Sequence, residues 1–157
     1  MSMPPKQALP ADMLALDNQF CFALYSASHA VTKTYKPLLN RLGLTYPQYL
    51  VMLVLWEQDG ILVKDIGARL FLDSGTLTPL LKRLEANGLL ERRRDPRDER
   101  QVRISLMAAG RALRELAIEI PRQLLCASGK EAVTLGRLRT ELSAVRDDML
   151  RAMEGGE

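Results

Sequence analysis

Apolar residues recur at helical spacing along most of the chain and predict a mainly α-helical protein. A first helix is expected to begin at Met13 and to end at Pro37, because the residue before a proline avoids the helical region. After a short segment, "PLLNRLGL", Thr45 is expected to cap a buried helix over "YPQYLVMLVLWEQDG", which Gly60 ends. These helices form the N-terminal part of the predicted fold.

The segment after Gly60 predicts two short helices joined by a tight link. The first covers Val63–Leu70, and Asp73 can cap the second by accepting backbone N–H bonds. In the second helix, apolar residues stand at i, i+3, i+4 and i+7 before the helix stops at the dipeptide "NG": Leu77, Leu80, Leu81 and Leu84. This arrangement is typical of a helix-turn-helix.

The stretch "LLERRRDPRDERQVRISL" is the one convincing hairpin. Apolar and charged residues alternate on both sides of "DPRD", in which Pro96 occupies the second turn position. A helix-turn-helix followed by a basic hairpin predicts a winged helix over residues 61–106. Amphipathic helical patterns resume over Ala108–Cys126 and Lys130–Met153.

Composition limits the classes of protein to be considered. The 157 residues are 47% hydrophobic, enough for one globular domain with a core. The longest apolar run is far below the ~20 residues that cross a bilayer, and residues 1–12 resemble a flexible arm without the features of a signal peptide. We therefore expect a cytoplasmic protein without membrane contact. In the cytoplasm, its two cysteines are expected to be reduced or redox-active.

Known catalytic and metal-binding patterns are absent from the sequence. It contains no P-loop, no zinc-ligand spacing and no Ser/His/Asp set, and the single histidine, His29, has no ligand partner at metal-binding spacing. We therefore expect no cofactor, no metal and no enzymatic activity.

Charge and polarity in the winged helix favour double-stranded DNA as a partner. Six arginines lie between Arg92 and Arg103, against Asp95, Asp98 and Glu99. Small polar and basic residues are expected to face away from the core on the second helix of the pair: Ser74, Gly75, Thr76, Thr78, Lys82 and Arg83. Taken alone, the hairpin favours a solvated charged surface, as most charge runs do. Its position after a helix pair with a polar face indicates DNA binding.

The segment from Val63 to Leu106 resembles the DNA-binding lobe of the MarR family of bacterial transcriptional regulators. "DERQVRISL" matches most of that family's wing signature at Asp98, Arg100 and Leu106, whereas Met107 replaces the usual threonine. The resemblance implies that Arg100 enters the minor groove and that Asp98 holds it in position. From the basic charge of the hairpin, Arg94 and Arg97 are also expected to contact DNA. It further implies a homodimer on a pseudo-palindromic operator, with residues 13–60 and 107–157 forming the helical dimerisation and sensing region.

Cys21 lies in an aromatic, apolar stretch, "NQFCFALYSASHA", of the first helix. A thiol reacts as the thiolate, and phenolic hydroxyls can stabilise that anion without adding a charge. Tyr35 and Tyr46 follow 14 and 25 residues later and are the candidate activating groups. The alternative is that Cys21 is a small buried hydrophobic residue in the core, the usual fate of a free cysteine.

The helix-one cysteine, these tyrosines and "LFLDSGTLTPLLKRLE" together resemble the organic hydroperoxide resistance regulators within the MarR family. That resemblance implies a repressor that leaves DNA when an organic hydroperoxide oxidises Cys21 to sulfenic acid. It also implies a subsequent disulfide with Cys126 of the other subunit. Two alternatives stay open: a MarR-type regulator of a small aromatic ligand, in which Cys21 is a bystander, and a thiol peroxidase.

Overall fold

The computed structural model describes residues 12–155, so the predicted arm over residues 1–12 lies, apart from Asp12, outside the described residues. The chain divides into two compact units, one extending to Leu113 and one beginning at Arg114, and each is described by itself. No helix in the range 12–155 is long and apolar enough to cross a membrane. The elements are α1 (Phe20–Asn40), α2 (Tyr46–Glu57), β1 (Ile61–Leu62), α3 (Val63–Leu70), α4 (Ser74–Ala86), β2 (Leu90–Asp95), β3 (Asp98–Leu106), α5 (Ala108–Ala117), α6 (Ile120–Ser128) and α7 (Ala132–Glu154).

The predicted limits of the first helix are wrong at both ends. Before α1, the Gln19 side chain donates to the Met13 carbonyl oxygen at 2.6 Å, and such local bonds compete with helix formation. At the other end, α1 continues through Pro37 to Asn40 and buries Leu39, which is 1% exposed. Burying a leucine side chain contributes about 1.5–3 kcal/mol, comparable to the cost of about 3 kcal/mol for a proline inside a helix.

The helix α2 forms the centre of the core, as its apolar run predicts. Thr45 caps it through a capping box, in which Thr45 Oγ1 accepts from Gln48 N and Gln48 Oε1 accepts from Thr45 N. The side chains of Tyr49, Val51 and Met52 are almost completely buried.

The helix-turn-helix of α3 and α4 is confirmed, with its three-residue link at residues 71–73. Phe71 adopts a left-handed conformation with φ 55°, and Asp73 Oδ1 caps α4 by accepting from Thr76 N at 2.7 Å. The link passes close to α3, because a Cβ added at Gly67 would lie 2.7 Å from the Leu72 carbonyl oxygen. Glycine is therefore required at position 67 for this turn.

The predicted hairpin is also confirmed, and the structure adds a third strand that the sequence did not indicate. The sheet has the order β1-β3-β2 and is antiparallel, with Ile104 of β3 opposite both Ile61 and Arg92. With only two residues, β1 carries too little alternation to be visible in the sequence. The mainly α fold with a small β structure agrees with the predicted winged helix.

A single helix over Ala108–Cys126 was predicted, and this prediction is wrong. The helix α5 ends at Ala117 and α6 begins at Ile120, with Pro121 in its first turn. Pro121 has no N–H to bond the Ala117 carbonyl, whereas the first turn of a new helix tolerates proline. The predicted helix over Lys130–Met153 is confirmed as α7.

Gly110→Ala is expected to lower the free energy of unfolding by at least about 2 kcal/mol. A Cβ at this position would lie 2.0 Å from the Leu89 carbonyl oxygen, so the backbone would have to move. At Gly155, an added Cβ would meet the Arg151 carbonyl oxygen at an ordinary 3.5 Å, which makes Gly155→Ala the control. Denaturant unfolding at one protein concentration compares the two, and equal stabilities would contradict this packing.

Candidate DNA interface and thiol site

The helix α4 presents the predicted polar surface. Leu77, Leu81 and Leu84 are buried on one side, while Leu80 is only partly buried. The opposite side exposes Ser74, Gly75, Thr76, Lys82 and Arg83, with Thr78 half-buried. The backbone N–H and side chain of Thr76 hold the pKa of Asp73 below its usual range, which keeps a charged cap at the start of this helix. The role of this surface in DNA binding stays a prediction.

An ion pair and a backbone hydrogen bond join α4 to the wing, defined here as β2, β3 and their turn. Glu85 Oε1 accepts from Arg92 N at 3.0 Å, and Glu85 Oε2 lies 2.8 Å from Arg92 Nε. The bond from the Arg92 side chain lowers the pKa of Glu85, followed by that from the Arg92 backbone. The Arg92 side chain therefore binds the wing to α4 through Glu85. The sequence analysis did not predict this contact.

A buried carboxylate, Asp95, holds the turn end of the wing. Asp95 is 4% exposed and accepts bonds from Arg97 N at 2.8 Å and from the Arg103 guanidinium, which also donates to the Gly60 carbonyl oxygen. The Arg97 backbone bond, followed by the Arg103 side chain, lowers the pKa of Asp95. In the sequence, Asp95 resembles any polar turn residue, so its position before proline gave no indication of this network.

Arg100 and Asp98, the pair indicated by the wing signature, lie side by side near the turn. The Arg100 side chain is 95% exposed. Asp98 Oδ1 accepts from Arg100 N at 3.1 Å and lies 3.6 Å from Arg100 Nε, while Gln101 Nε2 donates to Asp98 Oδ2 at 3.0 Å. The bond from Gln101, and then that from Arg100 N, lowers the pKa of Asp98. A charged carboxylate therefore lies beside an arginine that is accessible to DNA.

The other two candidate arginines of the wing are also exposed. Arg94 Nη1 donates to the Glu99 carbonyl oxygen at 2.8 Å across the hairpin, and Arg97 lies in the turn itself. Between the wing and the helix pair is a cavity of about 520 Å³. Its polar lining comprises Lys64, Ser74, Thr78, Arg92, Arg100 and Gln101.

Within the described residues of one chain, Cys21 is not the buried core residue of the alternative interpretation. Cys21 is exposed on α1, and so are its neighbours Phe20, Phe22 and Leu24. Because α1 is continuous from Phe20 to Asn40, the 14 residues that separate Cys21 from Tyr35 span about 21 Å along the helix axis. Tyr35 of the same chain therefore cannot contact the Cys21 thiol.

The two candidate activating tyrosines do lie together, at the other end of α1. The ring centroids of Tyr35 and Tyr46 are 4.8 Å apart, and Tyr49 joins them at 5.8 Å and 6.4 Å. Burial, followed by the neighbouring Tyr46 and Tyr49, raises the pKa of Tyr35 to about 12, and burial also raises the pKa of Tyr46. Both hydroxyls are therefore protonated at neutral pH and available as hydrogen-bond donors.

Tyr35 is expected to ionise last in an alkaline titration followed by tyrosinate absorbance. Its pKa in the folded state, about 12, exceeds its ordinary value of 10.0. The resulting stabilisation is complete below pH 10 and is lost as the pH rises through 12. Tyr35→Phe should remove the component with the highest pKa, while Tyr25→Phe, on exposed α1, should leave it in place. Ionisation of every tyrosine in one step near pH 10 would contradict this burial.

Cys126 lies in the second unit, near the end of α6, and is also exposed. Apolar side chains are likewise exposed along α7 at spacings of three and four residues, which places them on one side of that helix: Leu138, Leu142, Val145 and Met149. In α1, Phe20, Leu24 and Val31 form a similar exposed row. Both rows are typical of helices that pack against another chain.

Comparison with known proteins places the chain among bacterial regulators. The family model "Transcriptional regulator SarA/Rot" matches residues 33–115. The organic hydroperoxide resistance transcriptional regulator of Bacillus subtilis is 50% identical over 131 residues, which are 83% of this chain and 89% of that protein. The HTH-type transcriptional regulator TtmR of Methylorubrum extorquens is 51% identical over 141 residues, or 88% of this chain and 71% of TtmR.

Solved structures of AbfR from Staphylococcus epidermidis are similar over nearly the whole chain. Reduced AbfR bound to DNA is 36% identical with a TM-score of 0.73, and the match covers 86% of this chain and 94% of that one. Overoxidised AbfR bound to DNA gives a TM-score of 0.72, and disulfide-formed AbfR gives 0.61. The chain thus belongs to the MarR family of winged-helix transcriptional regulators, in the group of the organic hydroperoxide resistance regulators.

Proposed function

We propose that the protein is a cytoplasmic, dimeric repressor that releases a pseudo-palindromic operator when an organic hydroperoxide oxidises Cys21. The observation that carries the proposal is the exposed Cys21 thiol on an exposed apolar face of α1, in a chain with an accessible wing arginine. The name of the Bacillus subtilis relative, which is half identical to this chain, supports organic hydroperoxides as the inducers.

The exposed apolar rows of α1 and α7 support a homodimer. A second copy of the chain would cover both rows and bury surface that is otherwise unfavourable in water. The proposed division of the chain follows: residues 13–60 and 107–157 form the dimerisation and sensing region, and residues 61–106 bind DNA.

The second subunit also completes the thiol site. Since Tyr35 is about 21 Å from Cys21 along the same helix, activation requires the partner subunit's Tyr35 and the partner subunit's Tyr46. Their protonated hydroxyls would donate to the Cys21 thiolate, and aromatic residues on both sides would admit an apolar hydroperoxide. The role of the two tyrosines as activating groups is therefore proposed across the dimer and not within one chain.

The proposed oxidation of Cys21 proceeds in two steps, sulfenic acid formation and then disulfide formation. The Cys21 thiolate attacks the terminal oxygen of the hydroperoxide, the S–O bond forms as the O–O bond breaks, and the alcohol leaves after taking a proton. The thiol becomes a sulfenic acid and the peroxide is reduced by two electrons. The Cys126 thiolate of the other subunit then attacks the Cys21 sulfur, forming the disulfide and releasing water after proton transfer.

The disulfide is the state that we expect to release DNA. A disulfide requires Cα atoms roughly 4.4–6.8 Å apart, so joining two cysteines on different helices fixes the relative position of those helices. The AbfR structures support this assignment: AbfR was captured on DNA in both its reduced and its overoxidised form, so overoxidation of that protein is compatible with DNA binding.

Wild-type protein treated with cumene hydroperoxide is expected to form a covalent dimer on a non-reducing gel. Cys126→Ser should remain at the monomer position and retain a Cys21 sulfenic acid that dimedone labels, because no resolving thiol is present. Addition of dithiothreitol should return the wild-type band to the monomer position. A monomeric wild-type band with both cysteines oxidised would contradict resolution between subunits.

One observation favours a second candidate, a regulator that responds to a small aromatic ligand. A cavity of about 440 Å³ between α1 and α2 has an apolar floor and carries Lys33, Lys36 and Tyr46 in its lining. In that case, a ligand such as salicylate would release DNA without a peroxide and Cys21→Ser would respond normally. If peroxide releases DNA and the aromatic ligand does not, and if this release requires Cys21, the redox function is favoured.

The proposed function is tested by titrating the DNA-bound protein with cumene hydroperoxide. DNA release should be complete at about one equivalent per subunit, because each Cys21 consumes one peroxide and the product is not recycled. A thiol peroxidase would instead consume many equivalents of peroxide, at a high rate, once dithiothreitol is supplied as the reductant. Retention of DNA after complete oxidation of Cys21 to the disulfide would contradict the proposed function.

A further inference from the structure

Gln101 lies on the side of the wing that faces the helix pair. Its amide nitrogen donates to Asp98 Oδ2 at 3.0 Å, whereas Asp98 Oδ1 accepts from Arg100 N and lies 3.6 Å from Arg100 Nε. The Asp98 carboxylate thus contacts both residues, Gln101 through Oδ2 and the exposed Arg100 through Oδ1. The sequence analysis gave Gln101 no role.

The orientation of the Gln101 amide is fixed by chemistry. A charged carboxylate can only accept hydrogen bonds, so the nitrogen of the amide must face Asp98 and the oxygen must face away. That oxygen, Oε1, is buried and has no hydrogen-bond partner among the described residues. An unpaired buried acceptor is destabilising, and the side chain therefore keeps its place at a cost to the stability of the fold.

We infer that Gln101 is a positioning residue for operator recognition, which fixes the Asp98 carboxylate so that Asp98 can orient the Arg100 side chain toward DNA. The inference rests on the proposed function, because it assumes that Arg100 contacts the operator. The Arg100 side chain has no other restraint: it is 95% exposed, and its guanidinium lies beside Asp98 alone among the described carboxylates. Fixing the carboxylate reduces the side-chain entropy that Arg100 loses when it binds.

Charge around Asp98 is consistent with this role. Lys64, from α3, lies near enough to contribute to the low pKa of Asp98, and both Lys64 and Gln101 line the 520 Å³ cavity. The carboxylate is therefore held from the helix pair by charge and from the wing by a hydrogen bond. Without the bond from Gln101, Asp98 Oδ2 loses its side-chain hydrogen bond, and the carboxylate is less restrained beside Arg100.

The test is Gln101→Met, which keeps the approximate size and net charge of the side chain but removes the amide. The probe is a duplex selected from a random library by the wild-type dimer, compared with a scrambled duplex of the same composition. We expect the variant to bind the selected duplex about fivefold to tenfold more weakly, an effect of the size of one ordinary hydrogen bond. Its affinity for the scrambled duplex and its salt dependence should be unchanged, because no phosphate-binding charge is lost.

Thermal stability separates positioning from a structural role. Gln101→Met loses the bond to Asp98 but also removes the unpaired Oε1, and these two effects on stability oppose each other, so its melting temperature should stay close to that of the wild type. Gln58→Met, at an exposed glutamine outside the wing, is the control and should change neither measurement. A melting temperature that falls together with the affinity for both duplexes would overturn the inference.

A double-mutant cycle tests the route through Arg100. In an Arg100→Ala background, Gln101→Met should reduce affinity for the selected duplex by less than twofold, because there is no side chain left to orient. An equal loss in both backgrounds, or no loss in the wild-type background, would overturn the inference. Failure of the wild-type protein to select any duplex would instead contradict the proposed function.

Discussion

Cys21→Ser is expected to bind the selected duplex with wild-type affinity and to keep it after treatment with cumene hydroperoxide. Serine is similar in size to cysteine and Cys21 is exposed on α1, away from the wing, so the substitution should leave the DNA surface intact. The hydroxyl does not react with a peroxide, and neither the sulfenic acid nor the disulfide can form. Fluorescence anisotropy of the labelled duplex, before and after peroxide, measures both properties.

The matched control for this experiment is Cys126→Ser, which retains the reactive thiol but lacks the resolving one. It should still be oxidised at Cys21 at the wild-type rate, whereas Cys21→Ser should not be oxidised at that position at all. If Cys21→Ser released the duplex at the peroxide dose that releases it from the wild type, the trigger would have to lie elsewhere.

Arg100→Ala is expected to weaken binding of the selected duplex by about tenfold or more at a fixed ionic strength. Its guanidinium is exposed and lies beside Asp98, so it is accessible to the minor groove of DNA. The same change at Arg97, in the wing turn, should have a smaller effect, since it removes only a general attraction to phosphate. Equal affinities of the wild type and Arg100→Ala would contradict the assignment.

Stability distinguishes the exposed arginines from the structural ones. Arg100→Ala should unfold like the wild type, because its side chain makes a single loose contact. By contrast, the Arg103 guanidinium satisfies both the buried Asp95 and the Gly60 carbonyl, so Arg103→Ala would leave polar groups unpaired. The DNA affinity measured for Arg100→Ala therefore reports the loss of the arginine's contact with DNA and not unfolding of the wing.

Short-range signals in the sequence were sufficient for the winged helix. Asp73 at a cap, leucines at helical spacing and a proline turn between alternating strands each act within a few residues, and the structure forms all three elements. Pro37 shows the limit of such signals. A proline is expected to end a helix locally, but the burial of Leu39 in the tertiary structure continues α1 beyond it.

The proposed thiol site requires contacts between Cys21 and the two tyrosines that one chain alone does not provide. The sequence pattern identified Tyr35 and Tyr46 as candidate activating groups, but it did not indicate that they lie together, because their contact depends on the packing of α1 against α2. The distance of Tyr35 from Cys21 follows from the continuity of α1 between these two residues. Likewise, the bonds of Asp95 and Gln101 depend on strand register, which a pattern of charges does not specify.

The most direct test of the redox mechanism follows Cys21 and DNA in the same sample. The wild-type dimer on its selected duplex is titrated with cumene hydroperoxide, anisotropy reports the bound DNA, and mass spectrometry reports the fraction of Cys21 joined to Cys126. We predict that DNA is released in proportion to the disulfide formed and binds again after reduction by dithiothreitol. Release that precedes any change at Cys21, or full retention of DNA by the disulfide-linked dimer, would contradict the mechanism.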